Sequence, residues 1–129
     1  MSASRYPICM IVDDNELDSF ILKKLLEANG FSSEVIIKAD ARSALDYLSA
    51  NSDKLPSVIF LDIMMPGIDG FGFLEEFEKL SDPVKNQCRV ILISTSESFK
   101  DLNRANKNKF VYRFLNKPIT DAMLGAISI

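Results

Sequence analysis

With 129 residues, 47% hydrophobic and 26% charged, the chain has the makeup of one globular domain around one core, and nothing in it is repetitive or low in complexity. A net charge of −3 and the lack of a Lys/Arg stripe argue against direct binding of nucleic acid through its phosphates. The chain has no histidine, which removes Ser/His/Asp and Cys/His nucleophilic sites and His-based metal sites.

The N-terminus, MSASRYPICMIV, lacks the charged start and long apolar core of a signal peptide. No apolar stretch approaches the ~20 residues of a membrane span, so a cytoplasmic protein with no membrane contact is expected. Ile8 to Val12 is a continuous apolar run and reads as a buried parallel strand. DDNELD then supplies a helix N-cap and an acidic first turn. Leu17, Phe20, Ile21, Leu25 and Ala28 recur at helical spacing until Asn29-Gly30 stops the first helix. Cys9 and Cys88 have neither zinc nor CxxC spacing and are expected to be buried, reduced thiols.

Val35 to Ile37 reads as a short second strand. Asp40 can cap a second helix with Ala41, Ala44, Leu45 and Leu48 on one face. Val58 to Leu61 reads as the third strand and delivers Asp62, followed by the tight Pro/Gly loop IMMPGIDG. A third helix runs from about Asp69 to Leu80, with Phe73, Leu74, Phe77 and Leu80 inward. SDPVKNQC reads as a polar connection, longer than needed. Val90 to Ser94 reads as the fourth strand. A fourth helix over about Ser98 to Asn108 has a thin apolar face of Phe99, Leu102 and Ala105. The basic run from Lys100 to Lys109 is its solvated face and following loop. Val111 to Leu115 reads as the fifth strand, and Ile119, Ala122, Met123, Ala126 and Ile127 place a last short helix. Five strands alternating with five helices imply an α/β fold, a doubly wound parallel sheet with right-handed crossovers. The whole chain, 1–129, is expected to be a single domain.

In such a sheet the strand ends lie along one edge, where ligands bind. That edge would gather Asp13 and Asp14 after ICMIV, Asp62 after VIFL, Thr95 after VILIS and Lys117 after VYRFLN. Three crowded carboxylates repel unless a hard cation joins them, and Mg2+ prefers oxygen ligands and often bridges carboxylates to a phosphate. An Asp can act as a nucleophile and form an acyl phosphate; Asp62, beside a Pro/Gly loop in mid-sheet, is the candidate. Lys117 could pair with phosphoryl oxygens and Thr95 could donate a hydrogen bond to one. Singly, each residue has an ordinary explanation as a cap or a surface side chain.

The motifs VDDNE, VIFLDIMMPGIDG, VILISTSES and FLNKP together resemble the receiver domain of two-component response regulators, of the chemotaxis-regulator type, over essentially the whole chain. The resemblance implies a flavodoxin-like sheet of order 2-1-3-4-5. It implies Asp62 as phosphoacceptor, Mg2+ held by Asp14, by Asp13 mainly through water, by Asp62 and by the backbone carbonyl of Met64. Thr95 and Phe114 would form a switch, Lys117 would pair with the phosphoryl group, and Met64 and Glu97 would tune hydrolysis. Lys117-Pro118 is often cis in this family.

The implied partners are a sensor histidine kinase or histidine phosphotransfer protein, and a downstream target on the face from the fourth to the fifth helix. The protein would be a switch rather than an enzyme, with only self-dephosphorylation of its own. Three departures stand out: Phe rather than Tyr at 114, the SDPVKNQC insert, found in a subset of small single-domain bacterial receivers, and a final helix about a turn short. Two rival readings are a pseudo-receiver that only binds, and a Mg2+ phosphatase of the haloacid dehalogenase type. The latter would need DxD after the first strand, where this chain has adjacent Asp residues.

Overall fold

The computed structural model describes residues 5–95 and 99–127. In chain order the elements are β1 (Ile8–Val12), α1 (Glu16–Ala28), β2 (Glu34–Lys38), α2 (Ala41–Ala50), β3 (Val58–Asp62), α3 (Gly70–Phe77), α4 (Asp82–Gln87), β4 (Arg89–Ser94), α5 (Phe99–Lys107), β5 (Val111–Asn116) and α6 (Asp121–Ala126). All strand pairs are parallel and the order is β2-β1-β3-β4-β5. The sheet class and order agree with expectation. The number of helices does not: there are six among the described residues, because the SDPVKNQC segment folds into α4. Ser81 stands at its N-cap, Pro83 in its first turn, and Val84 is buried beneath it. A proline at the start of a helix loses no intrahelical bond, so the segment is helical despite its polarity.

Alternate strand residues enter two cores, as the twofold strand period requires. Met10, Val12, Ile59, Leu61, Val90 and Leu92 face α2 and α3; Cys9, Ile11, Val58, Phe60, Ile91 and Ile93 face α1 and α6. Both thiols are buried. Burial pushes Cys9 up to about 11, against a smaller lowering by a Ser32 hydrogen bond, and pushes Cys88 up to about 12.

The helix faces differ in how they follow the sequence. On α2 the four expected residues, Ala41, Ala44, Leu45 and Leu48, are the buried ones. On α3, Phe73, Leu74 and Phe77 are buried, and Leu80 packs partly on the same core beyond the helix end. On α1 the expected helix forms and Leu25 packs partly on the core, but the other expected apolar residues do not make the buried stripe. Ser19, Leu22 and Leu26 are buried, while Leu17, Phe20 and Ile21 are 65%, 54% and 53% exposed. The helix carries more apolar residues than one stripe can bury, and its contact with the sheet selects the stripe of Leu22 and Leu26. On α6, Leu124 and Ile127 are buried, whereas Ala122 and Ala126 are exposed. Leu102 on α5 is 37% exposed and only Ala105 is buried; the side chain of Phe99 lies outside the described residues. No helix among the described residues is long and apolar enough to cross a membrane.

Candidate functional site

Local structure frees the acidic residues after β1. The N-cap of α1 is Asn15, whose side chain accepts the Asp18 backbone N–H at 3.0 Å. Neither Asp13 nor Asp14 is consumed as that cap. The Asp13 backbone N–H continues the ladder to the Lys38 carbonyl, and its Oδ1 accepts the Asn15 N–H at 3.0 Å. Asp13 is therefore fixed and buried, whereas Asp14 is exposed.

Asp62 is the last residue of β3 and is 5% exposed. Its Oδ1 accepts the Met64 N–H at 3.2 Å, which leaves Oδ2 on the Lys117 side. The loop behind it turns through Gly67 at φ +77°, a conformation that favours glycine. The loop closes through the Gly70 N–H, which donates to the Ile63 carbonyl at 2.9 Å. A Cβ on Gly70 would lie 2.8 Å from Ile63 Cα and 2.9 Å from the Asp62 carbonyl oxygen, so only glycine lets α3 start this close to the strand end.

Lys117 follows β5, and its backbone N–H donates to the Ser94 carbonyl at 2.8 Å. Its bond to Pro118 is cis. The ammonium donates to Asp13 Oδ2 at 2.7 Å and Asp18 Oδ2 at 2.9 Å, and lies 3.5 Å from Asp62 Oδ2. Burial alone would lower its affinity for a proton. The bonds to Asp13 and Asp18, with the nearby charge of Asp62, outweigh burial and hold it above the usual lysine range.

Asp62 is pushed up to about 6, chiefly by burial and next by the Asp13 charge, against the lowering effect of Lys117 and the Met64 N–H. Oxygens of Asp13, Asp14 and Asp62 all lie within 4.8 Å of one another. Three carboxylates against one ammonium leave an excess of negative charge, and an all-oxygen donor set suits a hard divalent cation such as Mg2+. The residues present therefore fit the ion.

Thr95 lies just past β4, exposed, on the wall of a cavity of about 290 Å³ that Asp13, Asp18 and Lys117 also line. Phe114 is half-buried in β5, opposite Leu92, and packs against the α2/α3-side core. Met64 is 63% exposed at the mouth of the site. Glu97 lies outside the described residues. The structure thus gathers Asp13, Asp14, Asp62 and Lys117 in one cluster, with Thr95 on the adjoining cavity wall. It adds Asp18, absent from the sequence reading. In the sequence it reads only as one of the acidic residues in the first turn of α1, and its bond to Lys117 depends on the reach of that side chain.

This acidic cluster at the carboxyl ends of a 2-1-3-4-5 parallel sheet defines a class. Residues 9–127 match the response regulator receiver domain family, and the chain belongs to it. Such domains are signalling switches of two-component systems: they take phosphate from histidine kinases and bind Mg2+ at an acidic pocket. The chain is 30% identical over 116 residues to the probable methanogenesis regulatory protein FilR2 of Methanothrix harundinacea, covering 88% of this chain and 73% of that protein. It is 33% identical over 117 residues to the response regulator PleD of Caulobacter vibrioides, covering 91% of this chain but only 24% of PleD. Among solved structures, a response regulator receiver protein from Dyadobacter fermentans superposes with a TM-score of 0.83 at 32% identity, covering 91% of each chain.

Proposed function

We propose that residues 1–129 act as one receiver unit that accepts a phosphoryl group on Asp62 from a phosphohistidine of a kinase or phosphotransfer protein. The observation that carries this reading is the Asp62 carboxylate, buried, raised to about 6 and facing a lysine ammonium at 3.5 Å. Burial and the Asp13 charge raise its proton affinity in the metal-free site, and a bound cation would keep it ionised as the attacking group. One carboxylate oxygen attacks phosphorus, the P–N bond of the phosphohistidine breaks, and an acyl phosphate forms on Asp62.

Asp13, Asp14, Asp62 and the backbone carbonyl of Met64 would hold Mg2+, which, when bound, neutralises phosphoryl charge. Lys117 then pairs with a phosphoryl oxygen. Thr95 moves toward another, and Phe114 turns inward behind it, shifting the α5–β5–α6 face between two packings. Exposed Leu102 on α5 and Tyr112 on β5 give that face apolar contacts for a downstream protein. Met64, exposed beside Asp62, and Glu97 would set the lifetime of the acyl phosphate.

The donor's docking surface is α1. Leu17, Phe20 and Ile21 leave large apolar side chains exposed, and Ile21 also lines the cavity shared with Asp13 and Lys117. The test is intact mass after incubation with acetyl phosphate and Mg2+. One added phosphoryl group, lost in Asp62→Ala and blocked by EDTA, is expected. No addition with acetyl phosphate or with a phosphorylated histidine phosphotransfer protein would leave only a binding module.

A further inference from the structure

The Lys117 ammonium has three N–H donors. Two of them point to Asp13 at 2.7 Å and Asp18 at 2.9 Å, while Asp62 at 3.5 Å receives an ion contact beyond good hydrogen-bond length. The third N–H faces the Asp62 side, and bringing the ammonium from 3.5 Å to good hydrogen-bond length there draws it away from the partners that hold it toward α1. Asp13 belongs to the carboxylate cluster, so a cation bound there competes with Lys117 for it. Asp18 stands outside that cluster, on the first turn of α1, with its backbone N–H donating to Asn15 Oδ1. Its hold on Lys117 therefore survives metal binding.

We propose that Asp18 is a positioning residue that draws the Lys117 ammonium toward α1 in the resting protein and so restrains phosphoryl uptake, an inference that rests on the phosphoacceptor reading of Asp62. The geometry suits a latch that opens. The Asp18 side chain is 38% exposed, against 1% for Asp13, so water replaces the ammonium readily when Lys117 swings to the phosphoryl group. The cavity on the α1 side, lined by Asp18, Ile21, Leu22, Pro118 and Ile119, gives the lysine tip room to be held there. Asp18 touches no reacting atom. It acts through Lys117.

The experiment compares the parent with Asp18→Asn, and with Glu16→Gln as a charge control. Glu16 is exposed on the same helical turn, with no Lys117 contact among the described residues. The first readout is the rate of phosphoryl uptake from acetyl phosphate with Mg2+, followed by intact mass. Asp18→Asn is expected to be about three- to fivefold faster, the size of a half-exposed ion pair, with Glu16→Gln unchanged. The second readout needs neither metal nor turnover: the 1H–15N signal of the Lys117 ammonium, slowed in exchange by its two carboxylate bonds, should broaden in Asp18→Asn alone. Asp18→Ser is a second variant with the same expectation.

Uptake by the parent with no acceleration in Asp18→Asn would overturn the latch and leave the receiver reading standing. Equal acceleration in Glu16→Gln would also overturn it, as a general charge effect. No uptake by any form would overturn both.

Discussion

The two sides of the sheet use their apolar residues differently. On the α2/α3 side, four of ten α2 residues are apolar core and all four are buried, and Phe73, Leu74 and Phe77 of α3 join them. On the α1/α6 side, α1 buries Leu22 and Leu26 but leaves Leu17, Phe20 and Ile21 in solvent, Ile21 beside the site. One side buries nearly all the apolar residues its helices offer. The other leaves apolar side chains of α1 exposed, with Ile21 on the wall of the cavity beside Asp13 and Lys117, as the proposed donor-docking face requires.

Substitutions on the two sides should therefore separate stability from signalling. Phe77→Ala, which empties a fully buried ring position, should destabilise by about 3–5 kcal/mol in urea unfolding. Between the sides, at the sheet edge, Asp62→Asn removes a buried charge that its surroundings disfavour. In metal-free protein at pH 7 it should gain about 1–3 kcal/mol over the parent. The sign follows from the raised value. The folded carboxyl, at about 6, binds its proton more tightly than the unfolded one, so the parent loses stability as pH rises through the interval between an ordinary carboxylate and about 6. The advantage of Asp62→Asn should be complete above that interval and vanish below it. A gap between parent and variant that stays constant with pH would contradict the burial argument.

On the α1 side, Phe20→Ser with Ile21→Ser should change stability by no more than about 0.5 kcal/mol per site, as surface substitutions do. Phosphotransfer from a phosphohistidine protein should nonetheless fall about tenfold, one hot-spot contact's worth, while acetyl phosphate still works. Equal losses with both donors would erase the distinction between the faces. The smallest effect concerns the thiols. Cys9 and Cys88 lie on opposite sides of the sheet, and both should resist iodoacetamide at pH 8 until the protein is unfolded, because burial keeps them protonated.

What was legible from sequence follows the same division. Where the apolar residues form one stripe or one run, the pattern is unambiguous: on α2 Ala41, Ala44, Leu45 and Leu48 share a face, and β1, β3 and β4 are apolar runs, while the mixed β2 and β5 were placed by the alternation of elements around them. On α1 there are two candidate stripes, and only the docking of the helix on β1 and β3 decides between them. α4 was missed because a six-residue helix with one buried side chain, Val84, has no periodicity to read; Ser81 and Pro83 were its only local signals. The site was legible at strand ends, since topology alone brings Asp13, Asp14, Asp62 and Lys117 together. Asp18 was not, because its role depends on the reach of the Lys117 side chain rather than on any strand end.

The central claim is that the buried Asp62, among several neighbouring carboxylates, is the one that takes the phosphoryl group. Borohydride reduction of the freshly phosphorylated protein converts an acyl-phosphorylated Asp to homoserine, and peptide mapping then locates it. Homoserine at position 62 alone is the predicted result; homoserine at position 13, 14 or 18 would contradict the account.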